Sequence, residues 1–237
     1  MTRSLDDSLG WVETGTTLVR DALARLDEDG FTGPSALPGW RRKHVAAHLA
    51  ANAEAIGNLL HWAATGERTP MYSSPEQRST DIEAGSRRTG AELRAWFDES
   101  AARLTASMDG LTGEQWEAEV VTAQGRTVPA SETPWMRARE VMVHAVDLDT
   151  GVTFADLPTD FLGVLGDDVV AKRSGAGTGP AVKVLATDHA VSWTVDGSGD
   201  QVTVSGSLAE VVAWLAGRAA TVTTDEGTPA PVLPAWL

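Results

Sequence analysis

The most informative absence in this sequence is cysteine, since none occurs among its 237 residues. Without cysteine the chain forms no disulfide, has no cysteine nucleophile and offers no thiolate to a metal ion. A metal ion bound by side chains therefore has to sit on His, Asp or Glu. Thiol chemistry at this protein likewise needs a thiol that comes from outside the chain.

Basic residues and long apolar runs are also scarce. Lys and Arg number 19 against 33 Asp and Glu, and the resulting net charge of -14 repels the phosphates of nucleic acid. Residues 1–10 lack the basic start and apolar core of a signal peptide. No segment approaches the roughly 18 apolar residues of a membrane span. We therefore expect a cytoplasmic monomer without nucleic-acid or membrane partners.

Helical periodicity dominates the first two thirds of the chain. Thr89 and Glu92 form a capping box, and Thr133 followed by Pro134 predicts an N-cap with proline at the first helical position. The connection before Thr89 has room for a short helix, and the one before Thr133 is predicted as an extended loop or hairpin. The apolar spacing predicts four helices, over residues 5–26, 41–64, 89–110 and 133–149.

The pattern changes after about residue 152. One further helix is predicted over 158–173, and a capping box from Ser207 to Glu210 opens another that runs to Arg218. Between them, β-branched runs predict strands at 182–186, 191–195 and 202–204, with a hairpin loop at 196–200. We therefore expect an α-helical bundle over 1–152 and a small α+β domain over 153–237, with an extended tail from 228.

One histidine in this sequence has the spacing to a carboxylate that is typical of a metal site. Glu140 and His144 are four residues apart on the predicted fourth helix, so both side chains project from one face. Their neighbours are apolar, so the charged Glu140 needs a partner. A histidine from the second helix, which carries His44, His48 and His61, completes a His₂Glu set with an open position, as in catalytic zinc sites. The alternative is an ordinary surface ion pair.

The remaining histidines have simpler explanations. His44 follows three basic residues at a helix start and is expected in solvent. His61 stands beside Trp62 and is expected to be a core histidine with its hydrogen bonds satisfied. His189 lies in a predicted turn and is expected at the surface.

Three arginines are candidates for binding an acidic substrate. An arginine holds a carboxylate through two parallel hydrogen bonds. Arg137 and Arg139 precede Glu140, and for at least one of them a solvated helix face is the simpler expectation. Arg218, at the predicted end of the last helix, either takes part in the site or only interacts favourably with the helix dipole.

Two stretches of the first domain carry a family resemblance. One is LPGWRRKHVAAHLA at 37–50, continued by HWAATGERTPMY at 61–72. The other is the longer and more specific TAQGRTVPASETPWMRAREVMVHAVDL at 122–148. These stretches resemble the mycothiol-dependent maleylpyruvate isomerases, and the similarity extends less distinctly to 202–209 and 216–218. The 37–50 motif alone is shared with the wider DinB-like superfamily of thiol-dependent metalloenzymes.

This resemblance implies a fold and a set of site residues. It implies a DinB-like four-helix bundle that binds zinc through His48, Glu140 and His144, and it selects His48 over His44. It also implies a C-terminal domain similar to sterol carrier proteins, with Arg218 reaching the active site. The implied cofactor is mycothiol, the low-molecular-weight thiol of actinobacteria. The implied reaction converts maleylpyruvate to fumarylpyruvate in gentisate degradation.

The corresponding mechanism is a reversible thiol addition. The metal lowers the pKa of the mycothiol thiol, the thiolate adds to the cis double bond of the substrate, and rotation followed by elimination gives the trans isomer. Arg218 or the metal stabilises the negative charge that forms on addition. Two alternatives remain: a thiol S-transferase on the same scaffold, and a non-enzymatic module whose second domain binds an apolar ligand.

Overall fold

The computed structural model describes residues 3–218 and 220–234. These form two compact units, one over Ser4–Val152 and one that begins at Thr153 and includes Arg3. The first is built mainly of helices, and the second combines helices with a four-stranded sheet. The expected α-rich chain with a smaller α+β part is confirmed at this level. That residues 1–152 and 153–237 are separate domains stays a prediction.

The N-terminal unit is organised around four long helices, as the sequence predicts. Helix α1 packs along α7, and α3 packs against α5 and α7. Shorter helices fill the connections. In chain order the helices are α1 (Leu5–Ala24), α2 (Glu28–Thr32), α3 (Arg42–Thr65), α4 (Pro75–Gly85), α5 (Gly90–Asp109), α6 (Gly113–Trp116) and α7 (Thr133–Asp147).

Local chemistry explains where these helices begin, end and meet. The Thr89–Glu92 capping box starts α5, and Gly66 ends α3 in the left-handed conformation that glycine adopts at low cost. Gly15 allows α1 to lie close to α7, because a Cβ atom there would collide with Val141. The close packing buries apolar residues of the four long helices, among them Val19, Leu23, Val45, Leu49, Phe97 and Val141.

The start of α7 differs from the prediction. Thr133 is not the N-cap but the first helical residue, and its hydroxyl donates a hydrogen bond to the Ala130 carbonyl at 2.8 Å. The reason is that a 3₁₀ turn, Ala130–Glu132, runs directly into α7, so the residue before Thr133 is already helical. The preceding segment forms a hairpin of antiparallel strands β1 (Glu119–Val121) and β2 (Thr127–Pro129), one of the two predicted alternatives.

The C-terminal unit packs two helices on a sheet. Its elements are α8 (Thr159–Ala176), β3 (Pro180–Ala186), β4 (Ser192–Val195), β5 (Ser198–Gly206), α9 (Leu208–Leu215) and β6 (Thr223–Thr224). The strand order is β4-β3-β5-β6, with β3 and β5 parallel and the other neighbours antiparallel. The predicted capping box of Ser207 and Glu210 starts α9, which ends three residues before the predicted end at Arg218.

The predicted hairpin loop at 196–200 is wrong. Strands β4 and β5 are not paired, because each lies on a different side of β3. The chain passes from one to the other through Asp196 and Gly197 alone, crossing the start of β3. A Cβ atom on Gly197 would collide with the backbone of Gly179 and Pro180, so glycine makes this close crossing possible. Two strand-like segments joined by turn residues look like a hairpin in the sequence. The sequence does not show that a third strand, here β3, lies between them in the sheet.

None of the helices among the described residues combines the length and apolar content needed to cross a bilayer.

Gly197→Ala tests the close crossing. We expect the substitution to lower the free energy of unfolding by about 1–3 kcal/mol, because the added methyl group meets backbone that has to move. Thermal and denaturant unfolding measure the change. Gly175→Ala in α8 is the matched control: nothing lies within 4 Å of the place its methyl group would take, and alanine should stabilise the helix by about 0.5–1 kcal/mol. If the two substitutions changed the free energy of unfolding equally, the explanation that glycine is needed at the crossing would be wrong.

Candidate metal centre

Two facing helices bring together the three residues that the sequence singles out. His48 projects from α3, and Glu140 and His144 project from one face of α7. Glu140 Oε2 lies 2.8 Å from His48 Nε2 and 3.3 Å from His144 Nε2. One potential ligand atom from each residue lies within 4.8 Å of the other two. This spacing fits one small cation at the centre.

Burial and hydrogen bonding set the charges of this cluster. Burial alone would raise the pKa of Glu140, but hydrogen bonds from His144 and His48 hold it well below its ordinary value. Burial lowers the pKa of His48 despite its bond to Glu140. Burial also acts to lower the pKa of His144, yet Asp147 and Glu140 raise it to about 9. Near neutral pH the metal-free cluster therefore holds a carboxylate, a neutral His48 and a protonated His144, whose proton a cation replaces.

Asp147 supports the cluster from behind. It is fully buried one turn after His144, and its Oδ2 lies 2.8 Å from His144 Nδ1. An acceptor at Nδ1 directs the proton to that nitrogen and leaves Nε2 available for a cation, the arrangement usual for histidine ligands in proteins. This residue was not predicted from the sequence, although its i+3 spacing from His144 is a visible signal.

Arg137 links the two helices that carry the cluster. It is 0% exposed, and its Nη1 donates to the Leu49 carbonyl at 2.7 Å and to Asn52 Oδ1 at 2.8 Å. Leu49 and Asn52 follow His48 on α3, and Arg137 precedes Glu140 by one turn on α7. Burial lowers the pKa of Arg137 to about 10, so the side chain stays charged at neutral pH. The expected solvated face is therefore wrong for Arg137.

Arg139 is not on a solvated face either. Its side chain is half-buried, with a buried Nε, and its guanidinium carbon lies 5.6 Å from the centre of the Trp135 ring. Arg137 and Arg139 both have apolar neighbours in the sequence. The sequence alone therefore does not distinguish a buried guanidinium from a solvated one at these positions.

A further arginine, which no pattern in the sequence indicated, lies beside the cluster. Arg78 on α4 is half-buried, and its Nη2 is 3.5 Å from His48 Nδ1. Its guanidinium also hydrogen-bonds Tyr72, whose pKa burial raises. The centre therefore has a positive group next to its histidine from α3.

The donor set fits a divalent transition metal. Two imidazole nitrogens and one carboxylate oxygen, with one coordination position left open, form the set typical of catalytic zinc. The chemistry of the residues present is therefore compatible with the metal that the sequence predicts.

Comparison with known proteins assigns the family. Residues 12–149 match the family model described as mycothiol maleylpyruvate isomerase N-terminal domain. A crystal structure of the mycothiol-dependent maleylpyruvate isomerase is 41% identical to this chain, covers 100% of both chains and superposes with a TM-score of 0.95. The chain belongs to the mycothiol-dependent maleylpyruvate isomerase family.

Two further comparisons complete this result. A mutant of the same isomerase, with one histidine replaced by alanine, is also 41% identical over 100% of both chains, with a TM-score of 0.94. A search of curated protein sequences gave no significant match. Membership of this family makes the chain an enzyme of the isomerase class, as predicted.

The other histidines of this isomerase lie outside the cluster. His44 is half-buried rather than solvated, because its Nδ1 accepts a hydrogen bond from the Arg41 amide at 3.0 Å at the start of α3. His61 is exposed, so the expected core histidine is wrong: it points out of α3, 3.9 Å from Glu67. His189 is exposed, as predicted.

Arg218 belongs to the C-terminal unit. It follows α9, is half-buried, and its Nη1 donates to the Ala216 carbonyl at 2.8 Å. Its predicted catalytic role stays a prediction.

Asp147→Asn tests the support behind His144. The substitution keeps the shape of the side chain but removes the charge that fixes the histidine proton, so we expect metal affinity to fall by about 10–100-fold. Competition with a chelator measures the affinity, and circular dichroism checks the fold. Asp21→Asn, on the exposed side of α1, is the control and should leave affinity unchanged. Unchanged affinity in Asp147→Asn would show that the contact has no influence on binding.

Proposed function

We propose that this chain catalyses the mycothiol-dependent isomerisation of maleylpyruvate to fumarylpyruvate, as a step of gentisate degradation in the cytoplasm. The observation that carries the proposal is the convergence of His48, Glu140 and His144 in one cluster. Full-length similarity to isomerases named for this reaction supports it. The partners would be a small-molecule thiol and a small dicarboxylate, bound by a monomer.

We also propose the finer assignment of the fold. In this view the packed helices α1, α3, α5 and α7 are the DinB-like four-helix bundle, which presents its ligands from facing helices. The unit from Thr153 onward is the domain similar to sterol carrier proteins. The metal would be zinc, held by His48, Glu140 and His144, since the His₂Glu set suits zinc although related metals bind similar sites.

The residues around the cluster have separate tasks in this proposal. A divalent cation held by His48, Glu140 and His144 would supply Lewis acidity that favours the thiolate form of mycothiol. Asp147 keeps His144 in the tautomer that leaves Nε2 free. Arg137 holds α3 and α7 at a fixed separation through Leu49 and Asn52. Both tasks preorganise the ligands before any substrate binds.

Arginines meet the charge requirement of the substrate. A dicarboxylate needs positive partners, and the addition step builds up further negative charge. Arg78, beside His48, is suited to hold a substrate carboxylate. Arg218 is the residue that we propose for the developing charge, as the sequence resemblance implies.

Removal of single ligands tests the metal assignment and the activity together. We expect His48→Ala, Glu140→Gln and His144→Ala each to lose bound zinc and the conversion of maleylpyruvate to fumarylpyruvate in the presence of mycothiol. Metal analysis of the purified proteins and an absorbance assay measure the two effects.

His61→Ala and His189→Ala are matched controls at exposed histidines, and both should keep metal and activity. A wild-type protein loaded with zinc that gives no turnover would remove the isomerase proposal. A product that retains the sulfur as a stable thioether would instead assign the chain as an S-transferase, and zinc binding without any thiol binding would favour a structural role for the metal.

Arg218→Met tests the proposed catalytic arginine. Removal of a group that stabilises developing charge should lower kcat by about 10²–10³-fold and leave the zinc content unchanged. Steady-state kinetics with saturating mycothiol measure kcat. Arg126→Met, at the exposed turn of the β1–β2 hairpin, is the control. A normal kcat in Arg218→Met would transfer this role to another group.

A further inference from the structure

A polar pocket lies beside the candidate metal centre in the N-terminal unit. Its volume is about 390 Å³, within the range of small-molecule sites. Helices α3, α4 and α5 and the segment before α4 form its walls. The lining residues that matter here are Glu54, Asn58, Tyr72, Asp81, Ala84 and Trp96.

The pocket continues directly from the cluster along α3. His48, Ala51, Ala55 and Asn58 are spaced by three or four residues and so share one face of the helix. Ala51, the first of them to line the pocket, is less than one turn from His48, and a turn advances only about 5.4 Å.

A second path leads from the cluster to the pocket through α4. Arg78 lies 3.5 Å from the His48 ring, and Asp81, one turn further along α4, lines the pocket. Tyr72 hydrogen-bonds Arg78 and lines the pocket as well. Two adjacent walls therefore connect the ligand-binding histidine with this space.

The polar groups of the pocket suit a neutral ligand with many hydroxyl groups. Glu54 Oε1 accepts from Trp96 Nε1 at 2.9 Å and from Arg103 Nη2 at 3.0 Å, and Asp81 Oδ1 accepts from Gln77 Nε2 at 2.6 Å. These bonds hold both carboxylates in place, and among the described residues the second oxygen of each has no hydrogen-bond partner. Arg88 also lines the pocket, with its guanidinium carbon 4.0 Å from the centre of the Trp96 ring, so the lining carries charges of both signs. Carboxylates accept from hydroxyl groups and a guanidinium donates to them. Asn58 Nδ2 donates to the Pro70 and Met71 carbonyls, so its amide oxygen is the group it offers to the pocket, and the Tyr72 hydroxyl can both donate and accept.

Small residues create the space itself. Ala51, Ala55 and Ala84 line the pocket without filling it, and Gly85 lets α4 approach Trp96, since a Cβ atom there would collide with the indole ring. The aromatic wall is thus fixed by close packing, and large side chains at the alanine positions would occupy the cavity.

We propose that this pocket holds the sugar part of mycothiol while the thiol end reaches the candidate metal centre. The inference rests on the proposed function, since it assigns the binding site of the proposed cofactor. It gives the pocket specificity for the whole thiol over simple thiols such as cysteine.

Two variants test the pocket by different means. Ala84→Phe, at an exposed position of α4, fills the cavity, and Asp81→Asn removes a charged acceptor. Calorimetry on the zinc-loaded protein measures binding of three probes: mycothiol, the sugar part of mycothiol without its thiol arm, and cysteine. We expect both variants to bind mycothiol and the sugar part at least about tenfold more weakly, while binding of cysteine and zinc content stay unchanged.

Ala106→Phe, exposed on α5 outside the pocket, is the matched control and should bind all three probes like the wild type. Equal weakening for mycothiol and cysteine, or no weakening in either variant, would overturn the assignment. The proposed function can fail while the pocket assignment holds: the wild type would then bind mycothiol but not isomerise maleylpyruvate. In that case weaker binding of the sugar part in the variants still supports the pocket.

Discussion

The contact on which the site depends is the Glu140 carboxylate held between two imidazoles, one from each of two facing helices. Even a half-buried carboxylate such as this one costs free energy unless positive or donating groups surround it. His48 and His144 supply these groups, with ring centroids 4.9 Å apart and nearly perpendicular planes. Everything that fixes the separation of α3 and α7 therefore fixes the geometry available to a cation.

Several features of the N-terminal unit hold α7 and its side chains in place. Gly15 allows α1 to pack closely on α7, and Arg137 connects α7 to the Leu49 carbonyl and the Asn52 side chain on α3. The fully buried Asp147 holds the far side of the His144 ring. A charged arginine and a charged aspartate in the core are expensive to bury, which is understandable where they orient functional groups. The core of this unit thus serves the site as well as stability.

The sequence predicts the members of the cluster better than the residues that surround it. A helix with Glu140 and His144 four residues apart follows from periodicity, and the family resemblance selects His48 from three candidates on α3. The roles of Arg137, Arg78 and Asp147 do not follow, because they depend on which faces of α3, α4 and α7 meet. The burial of His61 is also mispredicted for this reason. Its apolar neighbours in the sequence suggest burial, but its side chain lies on the exposed face of α3.

The helices and strands were likewise easier to predict than their arrangement. Capping boxes and glycines locate most helix ends within a few residues, because those signals are local. The parallel pairing of β3 with β5 is a long-range property, and the two-residue crossing at Gly197 looks like a hairpin in the sequence. The sequence misplaces the start of α7 for a related reason. A 3₁₀ turn runs directly into this helix, so no capping side chain is needed at Thr133.

The proposed centre requires that three side chains bind one cation and leave room for a thiol. X-ray absorption at the zinc edge of the zinc-loaded protein tests this most directly. We expect nitrogen and oxygen neighbours at about 2.0–2.2 Å from the zinc, with two imidazoles, and a new zinc–sulfur distance of about 2.3 Å when mycothiol is added. A coordination shell without two imidazoles, or one that gains no sulfur from saturating mycothiol, would contradict it.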